Sequence, residues 1–117
     1  MAESTHFQPI VTHNLTATIA DAATESGAVD LSGTTLVGVA FPAEFDGTAV
    51  TVKAASTSGG TYVNVYDNNG LQLSLTAAAS RVITIDPVKT AGLQYIKLVA
   101  GTAQTGATVL TLITRPV

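Results

Sequence analysis

Several short groupings in this chain have the side-chain types and spacing that chemistry could use. Asp67-Asn68-Asn69-Gly70 sets three oxygen-bearing side chains in a row, the raw material of a calcium loop. Calcium takes six or more oxygens, usually at alternate positions and closed by a glutamate. Here the oxygens are consecutive and the next carboxylate is Asp86, so calcium is not expected. Asn-Gly between strand-like runs is instead a hairpin signal, with positive φ expected at both central residues. Ser58-Gly59-Gly60-Thr61 offers the glycines of a phosphate cradle, but no lysine and no helix follows them. The spacing predicts a second hairpin connection.

Tyr62, Asn64 and Tyr66 alternate with Val63 and Val65. On a strand, that spacing puts two rings and an amide on one face, which could stack on a sugar and bond its hydroxyls. A tyrosine half-buried at a sandwich edge, ring packed and hydroxyl wet, has the same pattern. For catalysis the material is thin. Both histidines, His6 and His13, lie near the N-terminus, and no G-x-S-x-G, H-x-x-x-H or H-E-x-x-H motif exists. Glu44 and Asp46 flank Phe45 after Pro42, where a solvated loop gives no reason for their pKa values to be forced apart. Asn14-Leu15-Thr16 matches a glycosylation acceptor, but MAESTHFQPI lacks the basic and apolar regions of a secretory signal. The expectation is a protein that is not an enzyme, with no catalytic residue, metal or cofactor.

The elements that carry these residues read as strands. The chain has 19 Thr, 18 Ala and 13 Val but only 3 Phe, 3 Tyr and no Trp. Such β-branched composition suits pleated strands over a thin core. Alternation recurs at Leu15–Ile19, Val50–Ala54, Tyr62–Tyr66, Leu71–Leu75, Ile83–Ile85, Ile96–Leu98 and Val109–Ile113. The nearly continuous apolar run Leu36–Phe41, ended by Pro42, reads as a central strand covered on both faces. Turns every 8–12 residues predict one all-β antiparallel sandwich of eight or nine short strands, for which a jelly roll is one arrangement. Two stretches, Ala20–Ser26 and Thr76–Ser80, favour a turn or two of helix. Residues 1–10 read as an arm and 11–117 as the domain.

Charge narrows the partners. Only 11% of residues are charged, against a usual value of about 25%. A hydroxyl-rich soluble surface and a surface covered by other protein both fit that figure. The five basic residues are scattered along the chain, with no stripe for phosphates, so no nucleic-acid partner is expected. No run approaches the roughly 20 apolar residues of a membrane span, so no membrane is expected. Without cysteine there is no disulfide and no thiolate chemistry.

Three segments together carry a family resemblance. They are Ser26–Val39 (SGAVDLSGTTLVGV), Ala77–Pro87 (AAASRVITIDP), and Leu93–Ala103 (LQYIKLVAGTA) with the closing LTLITRPV. Their order resembles that of small structural proteins encoded among the virion genes of tailed bacteriophages. Ala54–Asp67 is similar to the A-S-x-D-G-x-T-Y-x-x-x-Y-D segment of that group, with Ser58-Gly59-Gly60 in place of its Asp-Gly turn. The resemblance covers most of the chain after about residue 14. It implies a virion β-sandwich, and within that class a capsid cement or decoration protein on the capsid exterior, assembled in the host cytoplasm. The implied partners are the major capsid protein and the protein itself, as a dimer or trimer. Candidate contacts are the arm residues His6, Phe7 and Gln8, with Arg81 and Arg115. The alternatives are a neck, tail or baseplate component, or a carbohydrate- or receptor-binding module at the tail tip using Tyr62, Asn64 and Tyr66.

Overall fold

A computed structural model describes residues 13–116 of the chain. They form nine strands: β1 (His13–Ile19), β2 (Val29–Asp30), β3 (Thr34–Phe41), β4 (Ala49–Ala55), β5 (Val63–Asn64), β6 (Ser74–Thr76), β7 (Arg81–Thr84), β8 (Tyr95–Ala100) and β9 (Thr108–Pro116). A single 3₁₀ turn, Pro87–Lys89, lies between β7 and β8. Two antiparallel sheets result, one ordered β1-β9-β3-β7 and the other β2-β8-β4, with β5 and β6 sharing the far side of β4. The outermost strands in sequence pair with each other (β1 with β9), then β2 with β8, β3 with β7, and β4 with β5 and β6. A long hairpin rolled up in this way is a jelly roll.

Alternation along each strand fills the space between the sheets. Ala17, Ile19, Leu36, Val39, Val50, Val52, Ile96, Leu98, Leu110 and Leu112 are buried there. Each fully buried Val, Leu or Ile contributes about 1.5–3 kcal/mol, so a core of small aliphatics suffices without Trp. β3 is central, as its apolar run predicts, flanked by β9 and β7. Its register against β9 shifts between Leu36 and Gly38. Gly38 suits that position, because a Cβ would stand a tight 3.1 Å from the Ile83 carbonyl oxygen.

Local expectations fail where pairing overrides propensity. Ala20–Ser26 forms turns, not helix, because Ala22 takes φ 66° and Ser26 bridges back to Ile19. Thr76 stays in β6, and Ser80 at φ 57° turns the chain into β7. The Tyr62–Tyr66 run is a strand only at Val63–Asn64, and Leu71–Leu75 only at its end. Between them the chain leaves the sheet as a small hairpin, closed by Tyr66 opposite Gln72. That hairpin forms as predicted, but its turn differs. The Gly70 N–H bonds the Asp67 carbonyl at 3.0 Å, and Gly70 alone in the turn has positive φ, 79°. The loop therefore has three residues, Asn68 to Gly70, and Asp67 stabilises it by accepting from the Asn69 and Leu71 amides at 2.8 and 3.0 Å. With the carboxylate doing this, Asn69 need not enter the left-handed region.

Candidate functional site

The strand directions divide the loops between two ends of the sandwich. Loops 20–28, 42–48, 77–80 and 101–107 gather at one, and loops 31–33, 56–62 and 85–94 at the other. The first end is knit by a buried amide. Gln104 Nε2 donates to the carbonyls of Asp46 (2.7 Å) and Thr102 (3.0 Å), and its Oε1 accepts from the Asp46 amide (3.0 Å) and the Thr108 hydroxyl (3.1 Å). All four capacities of the amide are used. Its backbone also pairs with Ala22 and Ala23. Around it, Asp46 Oδ2 accepts from the amide and hydroxyl of Thr105, and Asp21 Oδ1 from the Gly106 amide. The Thr105 hydroxyl, with its amide, holds the Asp46 carboxyl below its ordinary range.

The second end is open. Asp86 caps the 3₁₀ turn by accepting from the Val88 amide at 3.1 Å, and Pro87 supplies the fixed φ of the first position. The buried Thr90 hydroxyl bonds the Leu36 carbonyl at 2.6 Å and anchors the turn to β3. This rigid support presents Val88 to solvent at 83% exposure. Val88 lines two adjoining concavities. One, of about 250 Å³, includes Thr35, Pro87, Arg115 and Pro116. The other, of about 540 Å³, is lined by Tyr66, Asp67, Asn68, Asn69, Leu71, Asp86 and Lys89. Leu71 and Tyr66 are 65% and 54% exposed. An aromatic ring, a leucine, two prolines and an arginine thus line the concavities on either side of one valine. Asp67 is held below the ordinary carboxylate range by the Leu71 and Asn69 amides, with a smaller pull from the Lys89 ammonium.

A third feature lies on the outer face of the second sheet. Lys53 and Lys97 stand directly opposite each other on β4 and β8, an unfavourable pair on its own. Glu25 bridges them at 3.1 and 3.2 Å. Its carboxyl is lowered, most by the Lys53 hydrogen bond; burial pushes the other way, and the Lys97 hydrogen bond and the two ammonium charges add to the lowering.

The sequence-predicted candidates are dispersed by this architecture. His6, Phe7 and Gln8 lie outside the described residues, as does the proposed 1–10 arm. Arg81 pairs with Phe41 and Arg115 with Thr35. Those partners lie six positions apart along β3, roughly 20 Å, so the two exposed arginines sit at opposite ends. Tyr62 and Tyr66 also part company. The Lys97 ammonium lies 4.6 Å from the Tyr62 ring centre, and the Tyr62 hydroxyl donates to the Ser58 carbonyl at 2.8 Å. Asn64 is exposed opposite Lys53. Tyr66 belongs to the concavity at the open end. Glu44 is exposed, and Asp46 is committed to Thr105. Among the described residues no three His, Asp or Glu side chains gather as metal ligands would.

Val88, Leu71, Lys89 and Gln104 were not singled out by motif. Asp86-Pro87 was the available signal, since a cap residue followed by proline starts a helical turn; it reads equally as the end of a strand.

The chain matches no protein-family profile and no curated sequence. Among solved structures, its fold is similar to that of the SPBc2 prophage-derived protein YomS, with a TM-score of 0.54 at 14% identity, covering 92% of this chain and 97% of that one. That likeness establishes a shared fold. A structure of Bacillus endospore appendages, a family of disulfide-linked pili, aligns with a TM-score of 0.44 at 16% identity over 92% of this chain and 87% of that one.

Proposed function

We propose that this protein is a non-enzymatic structural component of a tailed-phage virion, a cement or decoration protein that binds the shell of major capsid protein from outside. The observation that carries the reading is the exposed surface around Val88. Exposed apolar clusters rimmed by polar groups mark protein contact sites, and aromatic residues and arginine are enriched at interfaces. Three further points support it. The segment order resembles that of phage virion proteins, the fold is similar to that of a prophage-derived protein, and jelly rolls are a recurrent capsid architecture. Val88, Leu71, Tyr66 and Arg115 would be buried against the shell. The knit end and the core would keep the body rigid, so little is lost to ordering on binding. Many copies on one particle would sum weak contacts into shell stability.

The test is co-sedimentation of purified protein with capsid shells that lack it. Saturable binding, lost on Val88→Asp, is the expected result. Shells that pellet without the protein at any concentration would refute it, and a handful of copies per particle would move the protein to the neck, tail or baseplate.

A second reading has its own observation. Tyr66 shares the 540 Å³ concavity with two amides, two carboxylates and Lys89, a set that could hold a saccharide at a tail tip. Tyr62 and Asn64 lie outside that concavity. A glycan-array signal abolished by Tyr66→Ala, together with no shell binding, would favour this reading over cement.

A further inference from the structure

A sheet edge offers unpaired N–H and C=O groups to any approaching strand, and proteins blunt such edges with shortness, charge, proline or bulges. The sandwich has four: β1 and β7 on one sheet, β2 and the β5–β6 side on the other. Three are blunted. β2 has two residues and carries Asp30, and β5 and β6 have two and three residues interrupted by the Asp67 hairpin. β7 has four residues and opens on Arg81. β1 is different. Its seven residues pair with β9 one to one, from His13 opposite Thr114 to Ile19 opposite Thr108, without a shift. Residues 14–19, NLTATI, contain no charge, proline or glycine.

The orientation of its free groups can be read from one bond. The Gly27 N–H donates to the Thr18 carbonyl at 3.3 Å from the side away from β9. Backbone groups alternate in direction along a strand, so those of Thr16 and Asn14 point the same way as Thr18. Thr18 is covered by Gly27. Among the described residues, no strand pairs with Asn14 or Thr16 on that side.

We propose that β1 of a second copy of this chain occupies this edge, antiparallel, across a two-fold axis at Leu15. Asn14 of each copy then pairs with Thr16 of the other, closing four N–H···O=C bonds. Leu15 meets Leu15 on the core side, and the polar Asn14 and Thr16 side chains meet on the outer side. The register is self-complementary, as a two-fold contact requires, and it brings no like charges together. Centring the axis on Thr16 would set the incoming Asn14 opposite Thr18, whose carbonyl Gly27 already occupies, whereas centring it on Leu15 uses the outward groups of Asn14 and Thr16. The half-buried Leu15, already packed on the core, gains its missing cover. Two four-stranded sheets become one of eight. The inference stands on edge geometry and does not depend on the shell reading.

The chain has no cysteine, so Leu15→Cys introduces a single thiol. An antiparallel pair without mutual hydrogen bonds has Cα atoms about 4.5 Å apart, within the roughly 4.4–6.8 Å that a disulfide spans. Under mild oxidation Leu15→Cys should become a covalent dimer on a non-reducing gel at least tenfold faster than Thr18→Cys, whose edge Gly27 fills. Thr16→Pro provides an independent readout. It removes an outward N–H and spares the β1–β9 ladder, so light scattering should shift from dimer to monomer while the thermal melt stays cooperative. Cross-linking of Leu15→Cys no faster than Thr18→Cys, or a wild-type chain that remains monomeric at its highest soluble concentration, would overturn the proposal.

Discussion

At one end of the sandwich Gln104, 1% exposed, saturates its amide between loops. At the other, Val88 stands in solvent on a turn capped by Asp86 and anchored to β3 by the Thr90 hydroxyl. Both ends are rigid, and both use side-chain oxygens to satisfy loop backbone. They differ in what the ordering is for. The buried amide spends its hydrogen bonds holding the chain to itself. The capped 3₁₀ turn and the Asp67 hairpin hold apolar side chains outward, where they contribute little to folding. On the proposed reading, stability and contact are assigned to separate ends, and each end can be altered with little effect on the other.

The largest expected effect tests the knit end. Gln104→Leu leaves the Asp46 amide and the Thr108 hydroxyl without their buried acceptor, at a cost of about 3 kcal/mol or roughly 10 °C in melting temperature. Shell binding by the folded fraction should be unchanged, and a melt that barely moves would break the comparison. Val88→Asp is the mirror experiment. Shell affinity should fall about thirtyfold, equivalent to about 2 kcal/mol, with the melting temperature held within roughly 2 °C.

The arginines sharpen the same contrast. Arg115→Ala, beside Val88, should weaken shell binding about fivefold, or about 1 kcal/mol. Arg81→Ala, at the far end of β3, should change it less than about twofold. Equal effects would move the contact surface away from the open end.

The smallest effect concerns pH. Glu25, Asp30, Asp46 and Asp67 all have carboxyls lowered in the fold, Asp30 by the Ser32 hydroxyl and amide. A lowered folded pKa means the unfolded chain binds protons first, so this stabilisation is present above the ordinary carboxylate range and is lost as pH falls through the folded values. Melting temperature should therefore drop below about pH 4. Glu25→Gln should flatten that drop and cost about 1 kcal/mol or less near neutrality, because the cluster is partly solvated and screened.

Much of this architecture is legible in the chain. The alternation of Leu15–Ile19, Val50–Ala54 and Val109–Ile113 marks true strands because each has one buried face, and burial writes a period of two. Leu36–Phe41 is central, as its unbroken apolar run implies. The open end is written less clearly. Val88 has the same side chain as any strand valine, and only the capping of Asp86-Pro87 turns it outward. Gln104 looks like an ordinary loop residue, since the four groups it bonds belong to Asp46, Thr102 and Thr108, and the first of these lies 58 positions away. Tyr62 and Tyr66 share a period that predicts one face, but the Asp67 carboxylate nucleates a hairpin that carries Tyr66 away. Side-chain capping of a turn is a local event with a distant consequence, and periodicity does not record it.

The central claim is that this jelly roll binds a phage shell through its open end. The most direct measurement is the number of copies retained per particle, by quantitative mass spectrometry of shells saturated with the protein and repurified. Saturation at hundreds of copies for the wild-type chain, with few retained for Val88→Asp, is the predicted result. Equal retention of both proteins, or shells that keep neither, would contradict it.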